Sequence, residues 1–213
     1  MPATARRTRE KQQRYDDIVA AAETIFFSKG YAQCSMDEIA RQAQLSRALL
    51  YVYFKDKAAI MHAVMLKAAR DCLTRFEVAA AAAATGAEQI SNIGHAYFNF
   101  SVEESDYFDV MTDMNTFPMP EADDPILADM EQCRHGVHEL MVGALRTGIE
   151  DGSINPEHVQ DPDLTARILR GSLHGVIMFT RQPKHPDDVP DDVAMVNEAI
   201  DMMCFAMRTE AGS

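Results

Sequence analysis

An arginine, two tyrosines and a lysine fall at positions 47, 51, 53 and 57 of this 213-residue chain, inside a stretch from Ser35 to Lys57 that reads SMDEIARQAQLSRALLYVYFKDK. A guanidinium can bond two acceptors on a guanine edge at once, whereas phenols, hydroxyls and an ammonium suit phosphate oxygens. Arg47 is therefore the candidate for a base contact, and Ser35, Tyr51, Tyr53 and Lys57 are candidates for phosphate contacts. Leu49 cannot hydrogen-bond a base edge but can pack on a thymine methyl, with Ser46 and Ala48 beside it on the same stretch. Other chemistry is thin. His135 and His138, three apart with Cys133 nearby, could share a helix face as metal ligands, but Glu131, Arg134 and Glu139 mark that face as solvated and no third ligand is specified. His95 and His174 sit among apolar residues, as hydrogen-bonded core histidines do. No glycine-rich phosphate loop, nucleophile elbow or HExxH occurs, and the scattered acids define no reaction. Neither an enzyme, a metal nor a cofactor is expected.

Two short helical patterns must position these side chains. The first opens at Ser35 with Glu38 three residues on, a capping box, before Ile39 and Ala40 turn inward. The second starts at Ser46, a good N-cap, and sets Leu50 and Phe54 four apart on one face, with Arg47, Ala48, Tyr51 and Val52 largely on the other. Joined by Gln44-Leu45-Ser46, the pair reads as a helix-turn-helix whose second helix enters a major groove. An ordinary helical hairpin is the alternative that the pattern alone allows. Before it, Ile18, Ala22, Ile25 and Phe26 repeat at helical spacing from Tyr15 to Lys29, and Gly30 stops the run.

From Ala22 to Lys57 the matching residues are numerous and in order: Ala22, Ile25-Phe26, Gly30-Tyr31, Ser35, Ile39-Ala40, Ala43, Leu45-Ser46, Leu50-Tyr51, Tyr53-Phe54 and Lys57. In these the chain resembles the N-terminal domain of the tetracycline-repressor (TetR) family of transcription regulators. The resemblance implies a ligand-responsive DNA-binding regulator; a helical enzyme or carrier whose first helices only look like a headpiece is the alternative. Where the family usually has Gly in the turn this chain has Gln44, and a residue with a Cβ is strained in a left-handed turn. Ala48 stands where Gly is usual and Leu49 where Thr is frequent, which alters what is read.

Composition is that of a globular protein, 47% apolar and 25% charged, and the net charge of −13 argues against a nucleic-acid partner only as an average. Up to Lys57 there are ten Lys and Arg against seven Asp and Glu, leaving ten against twenty-six for the remainder. A positive segment can meet phosphates while an acidic body stays clear of them. Four scattered cysteines without CxxC spacing fit a reducing cytoplasm, and no apolar run approaches the ~20 residues that span a bilayer, so no membrane partner is expected.

The expected organisation is all-α with about nine helices: residues 1–14 a flexible basic arm, 15–57 the three-helix DNA-binding headpiece, and 58–213 a helical ligand-binding and dimerisation bundle. A long helix leaves the headpiece from Lys57, and Thr85-Gly86 ends its run of six alanines. Tyr97, Phe98, Phe108, Met111, Met114, Met141, His174 and Met178, from four helices, are candidates for the walls of an effector cavity. The surplus of acids predicts a neutral or cationic apolar effector. Gly171 and Gly175, four apart on an apolar helix, with Val196 and Ile200 on the last, predict a homodimer closed by four helices across a two-fold axis. Such a dimer reads a pseudo-palindromic operator with half-sites about one duplex turn, ~34 Å, apart.

Overall fold

The computed structural model describes residues 3–112, 117, 120–182 and 191–209, and among them are nine helices. They are α1 (Ala3–Lys29), α2 (Met36–Gln42), α3 (Arg47–Tyr53), α4 (Lys57–Ala81), α5 (Gly86–Glu103), α6 (Ser105–Thr112), α7 (Pro125–Asp151), α8 (Pro162–Thr180) and α9 (Asp192–Met207). Short polar residues start many of them. Ser35, Ser46, Thr85, Asp161 and Asp191 each accept an amide of the first turn that would otherwise lack a partner. The only β pairing among the described residues is a single bridge between Ile154 and Arg208.

The chain divides into two compact units, residues 1–68 with 106–130, and residues 69–105 with 131–213. In the first, Ile18, Ala22 and Phe26 of α1, Ile39 and Ala40 of α2, Leu50 of α3 and Ile60 and Val64 of α4 form one core. Each fully buried Leu or Ile there contributes roughly 1.5–3 kcal/mol. The unit also takes in α6, which the sequence reading placed with the bundle. A polar staple explains this: Glu23 of α1, only 8% exposed, accepts the Lys67 ammonium at 2.7 Å and the Tyr107 hydroxyl of α6 at 2.9 Å. Each partner neutralises or satisfies an otherwise costly buried carboxylate.

The basic arm is helical. From Ala3 it continues into α1 without a break, and Arg6–Glu10, Gln12–Asp16 and Gln13–Asp17 pair four residues apart along it. In the turn after α2, Leu45 N–H donates to Ala40 O at 2.8 Å and Gln44 N–H to Arg41 O at 3.1 Å, the double bond pattern that closes a helix through a left-handed residue. Gln44 takes that position, with φ +56°, and bears the roughly 1–2 kcal/mol that glycine would avoid.

The second unit packs α5 against α8 and α9, and α8 against α9. Thr85 does not end α4; it caps α5, with Glu88 returning a carboxylate to the Thr85 N–H in a capping box, and α4 ends earlier, at Ala81. No described helix is long and apolar enough to cross a membrane.

Candidate DNA-reading face and effector cavity

Helix α3 buries Leu50 completely and turns Arg47, Ala48, Leu49, Tyr51 and Val52 outward. Phe54, at its C-terminal cap, closes the inner face against Tyr15 with ring centroids 4.8 Å apart. Ser46 Oγ accepts the Leu49 N–H at 3.2 Å, so Ser46 spends its hydroxyl on starting the helix. Arg47 lies over the Tyr51 ring, 5.6 Å from its centroid, and bonds Asp37 of α2 at 3.1 Å. The Tyr51 hydroxyl first, and Asp37 after it, raise an already high guanidinium pKa. The charge is thus present and aimed outward between two tethers weak enough, on an exposed face, for a base edge to replace them.

Two of the expected phosphate contacts are committed elsewhere. Lys57 turns inward: its ammonium donates to the carbonyls of Tyr31 (2.6 Å), Cys34 (2.9 Å) and Ala32 (3.4 Å) and sits 4.3 Å from the Tyr31 ring centroid. It ties the start of α4 to the loop between α1 and α2. Those carbonyls belong to a loop outside any helix, where among the described backbone bonds only Tyr31 O also accepts an amide, from Cys34 at 3.3 Å, and a cation satisfies all three at once. Lys57→Met is accordingly expected to destabilise the headpiece by about 1–3 kcal/mol, read by chemical denaturation, without changing the slope of operator affinity against salt. A flattened salt slope at unchanged stability would restore the phosphate role. Ser35 Oγ is held in the capping box, accepting Glu38 N–H at 3.3 Å and donating to Glu38 Oε2 at 3.0 Å. Lys29 bonds the same carboxylate, and Lys29 first, then Ser35, lower its pKa to about 2. Tyr51 and Tyr53 keep their outward and half-buried places.

In the second unit an apolar cavity of about 40 Å³ lies among five helices. Phe76 of α4, Ile90, Ile93, Gly94 and Tyr97 of α5 and Met141 of α7 form one side. Leu169, Arg170 and Leu173 of α8 and Ile200, Met203 and Cys204 of α9 form the other. Of the residues proposed from sequence, Tyr97 and Met141 line it and His174 reaches it through Tyr97, whose hydroxyl is 2.8 Å from His174 Nδ1. The rest do not. Phe98 is buried outside the lining, Met178 is exposed, and Met114 lies outside the described residues. Phe108 and Met111 belong to the first unit, where Met111 packs on the headpiece core and Phe108 is fully buried. An apolar stripe shows that a helix is covered, not by what. Burial raises the Tyr97 pKa beyond any physiological range, and burial first, then Arg170, lowers that of His174, so a neutral phenol faces a neutral imidazole. The described lining contains no acid at all. The acids that predicted a neutral or cationic effector lie elsewhere, and the one charged wall is Arg170.

The histidine pair on α7 diverges: His138 Nε2 is 2.9 Å from Asp163 Oδ2, whereas His135 points to Glu139 at 3.9 Å.

Helices α8 and α9 also share an open groove lined by Ser172, Gly175, Val176 and Phe179 on one side and Met195, Glu198, Ala199 and Met202 on the other. Leu164, Ile168, Val193 and Phe205, the last 76% exposed, extend the apolar surface. A Cβ on Gly171 or Gly175 would meet no atom within 4 Å. Val196 and Ile200 are not on this surface. At 0% and 2% exposure they are core, and Ile200 lines the cavity, because α9 is apolar on both faces and steps of three or four from Val196 follow the inner one.

Comparison with known proteins agrees with this geometry. Residues 18–64 match the family of bacterial regulatory proteins described as tetR, and residues 90–203 match a tetracyclin repressor-like C-terminal domain. The chain is 22% identical over 203 residues to a fatty acid metabolism regulator protein of Bacillus subtilis, spanning 95% of this chain and all of that one. It is also 22% identical over 131 residues to the HTH-type transcriptional activator FasR of Mycolicibacterium smegmatis, covering 62% and 60% of the two chains. Among solved structures, the B. subtilis transcriptional regulator FadR in complex with stearoyl-CoA superposes with a TM-score of 0.67 at 20% identity, over 91% of this chain and 100% of that one.

Proposed function

Because the chain belongs to the TetR family of bacterial regulatory proteins, we propose that it acts as a homodimer that a long-chain acyl effector, held in the second unit, releases from a pseudo-palindromic operator. A member of this family is a ligand-responsive, DNA-binding transcriptional regulator and not an enzyme. The observation that carries the effector class is the cavity, apolar on all sides but for one cation. Its relative FadR is a structure with stearoyl-CoA, an apolar chain on an anionic carrier, and that chemistry matches this wall. At about 40 Å³ the cavity is far short of the ~300 Å³ or more of a usual ligand site, so an effector must part its walls. Met141 and Met203 are the flexible side chains best able to give way.

Coupling follows from the chain itself. Helix α4 sets Ile60 and Val64 in the headpiece core and Phe76 in the cavity wall, so a ligand that moves Phe76 acts on a helix that also holds the headpiece. Release requires unequal affinity for the two forms, and the effect is reciprocal. A long-chain acyl-CoA that raises the melting temperature is expected to weaken operator binding, and operator DNA to weaken acyl-CoA binding by the same factor. Should each stabilising acyl-CoA leave operator affinity untouched, the protein is not regulated through this cavity.

On the DNA side the reading falls to α3, with Arg47 on a guanine and Leu49 near a thymine methyl. Arg47→Ala is expected to lose about 1–3 kcal/mol and to relax preference at one position per half-site. Competition binding with singly permuted operators checks this; an unchanged preference profile would remove Arg47 from the reading set.

A further inference from the structure

The second unit is acid-rich, and its arginines show it. Arg75 bonds Asp71, Glu103 and Glu104, Arg134 bonds Glu131, and Arg167 bonds Asp163. Arg170, one turn beyond Arg167 on α8, like Arg146 of α7 makes no hydrogen bond or ion pair with any described residue, and of these two it alone lines the apolar cavity. Because it is exposed while the other walls are mostly buried, it stands at the cavity's mouth. His174 lies four residues on, on the same face of α8, and its ring pairs with the Tyr97 hydroxyl, so Arg and a neutral Tyr–His couple surround one end of an otherwise hydrocarbon wall.

We propose that Arg170 is the anion anchor of the effector site, and that the effector is an anionic amphiphile whose apolar chain enters between α5, α8 and α9 while its acidic group rests on the guanidinium. This rests on the reading of the cavity as the effector site and deepens it. A guanidinium with no ion pair among the described residues, at the rim of an apolar pocket, offers its donors to a ligand, and the nearby low-polarity wall strengthens the bond that forms. The Tyr97–His174 pair adds no competing charge. The anion can be a free carboxylate at the end of the chain or the phosphates of a coenzyme A thioester; both suit an arginine fork.

The test uses the intact protein, Arg170→Gln and Arg170→Lys with three probes of equal chain length: hexadecanoate, hexadecanoyl-CoA and 1-hexadecanol, each titrated below its micellar concentration. Arg170→Gln is expected to lose affinity about ten- to a hundredfold for an anionic probe, to leave hexadecanol unchanged, and to be partly rescued by Arg170→Lys. Loss confined to hexadecanoate assigns the anchor to a carboxylate, and loss confined to hexadecanoyl-CoA assigns it to the carrier phosphates. Equal losses for hexadecanol mean that the arginine only shapes the wall, and overturn the anchor. So do wild-type affinities for all three probes in Arg170→Gln. If the wild type binds none of the three, the acyl reading of the cavity itself fails, a result distinct from the last two. Because Arg170 is exposed, unchanged thermal unfolding of the unliganded variants is the expected control.

Discussion

Replacing Gly175 with arginine is expected to yield a folded monomer that no longer holds its operator. The position is in the groove between α8 and α9, beside Val176, Phe179 and Met202, and a Cβ there meets nothing within 4 Å, so the long side chain enters open space within the protomer. Arginine is also the better helix former, by somewhat less than the roughly 0.8–1 kcal/mol that separates glycine from alanine, so the protomer is expected to hold or gain stability. Only a second copy packed on this face would suffer. There, two guanidinium groups related by the two-fold axis would be buried in a seam whose walls, Ile168, Phe179, Met202 and Phe205 among them, are mostly apolar and offer Glu198 as the one acid of the groove. With one headpiece in place of two linked ones, operator affinity is expected to fall about a hundredfold or more. Sedimentation velocity and operator titration read the two halves of the result; an intact dimer at micromolar concentration would mean that the copies meet elsewhere.

Much of the headpiece was legible because its signals are local. Ser35 with Glu38, and Ser46 before Leu50 and Phe54, specify two helix starts and an inner face within twenty residues. The polar stretch before Tyr15 was harder, since without an apolar stripe it reads as a tail, yet its Arg6–Glu10 and Gln–Asp pairs at four-residue spacing are a helical signal in their own right. What the sequence withheld is which partner covers which face. Lys57 has the type and position of a phosphate contact, but three carbonyls of a preceding loop take its charge. Tyr107 reaches Glu23 across 84 positions, and no periodicity announces a pair so distant. Val196 and Ile200 follow a clean stripe on a helix that has two, and spacing alone does not tell the inner one from the outer. Arg170 carries no signal of its own in sequence, because one arginine of two on α8 is ordinary; its place in the cavity wall, with no partner among the described residues, exists only in space.

Gly86→Ala is expected to be the most damaging single methyl in the second unit. From sequence Gly86 read as a helix stop; in the structure it is the first residue of α5, where that helix crosses α7 with almost no gap. A Cβ would lie 2.0 Å from Gly148 N and 2.4 Å from both Ala144 O and Gly148 Cα. All three atoms are backbone of a continuous helix, so no rotamer change relieves them. Moving α5 away instead would strain the bonds that hold its first turn, Gly86 N–H to Asp151 Oδ2 at 2.8 Å and Ala87 N–H to Ser153 Oγ at 3.1 Å. Overpacking of this kind costs about 3 kcal/mol or more, with roughly 1 kcal/mol further for each bond lost. Intrinsic propensity pulls the other way, since alanine exceeds glycine in a helix by about 1 kcal/mol, so the sign of the result decides between crowding and propensity. At about 2–4 °C per kcal/mol for a chain of this size, the melting temperature is expected to drop by roughly 6–15 °C. Gly143→Ala, on the same α7 at a position where a Cβ meets nothing within 4 Å, is the matched control and should be neutral or stabilising. Because α5 carries Ile90, Ile93, Gly94 and Tyr97 into the cavity wall, a displaced α5 should also weaken effector binding, which Gly143→Ala should spare. A Gly86→Ala protein that melts at or above the wild-type temperature would show that α5 and α7 do not cross this closely.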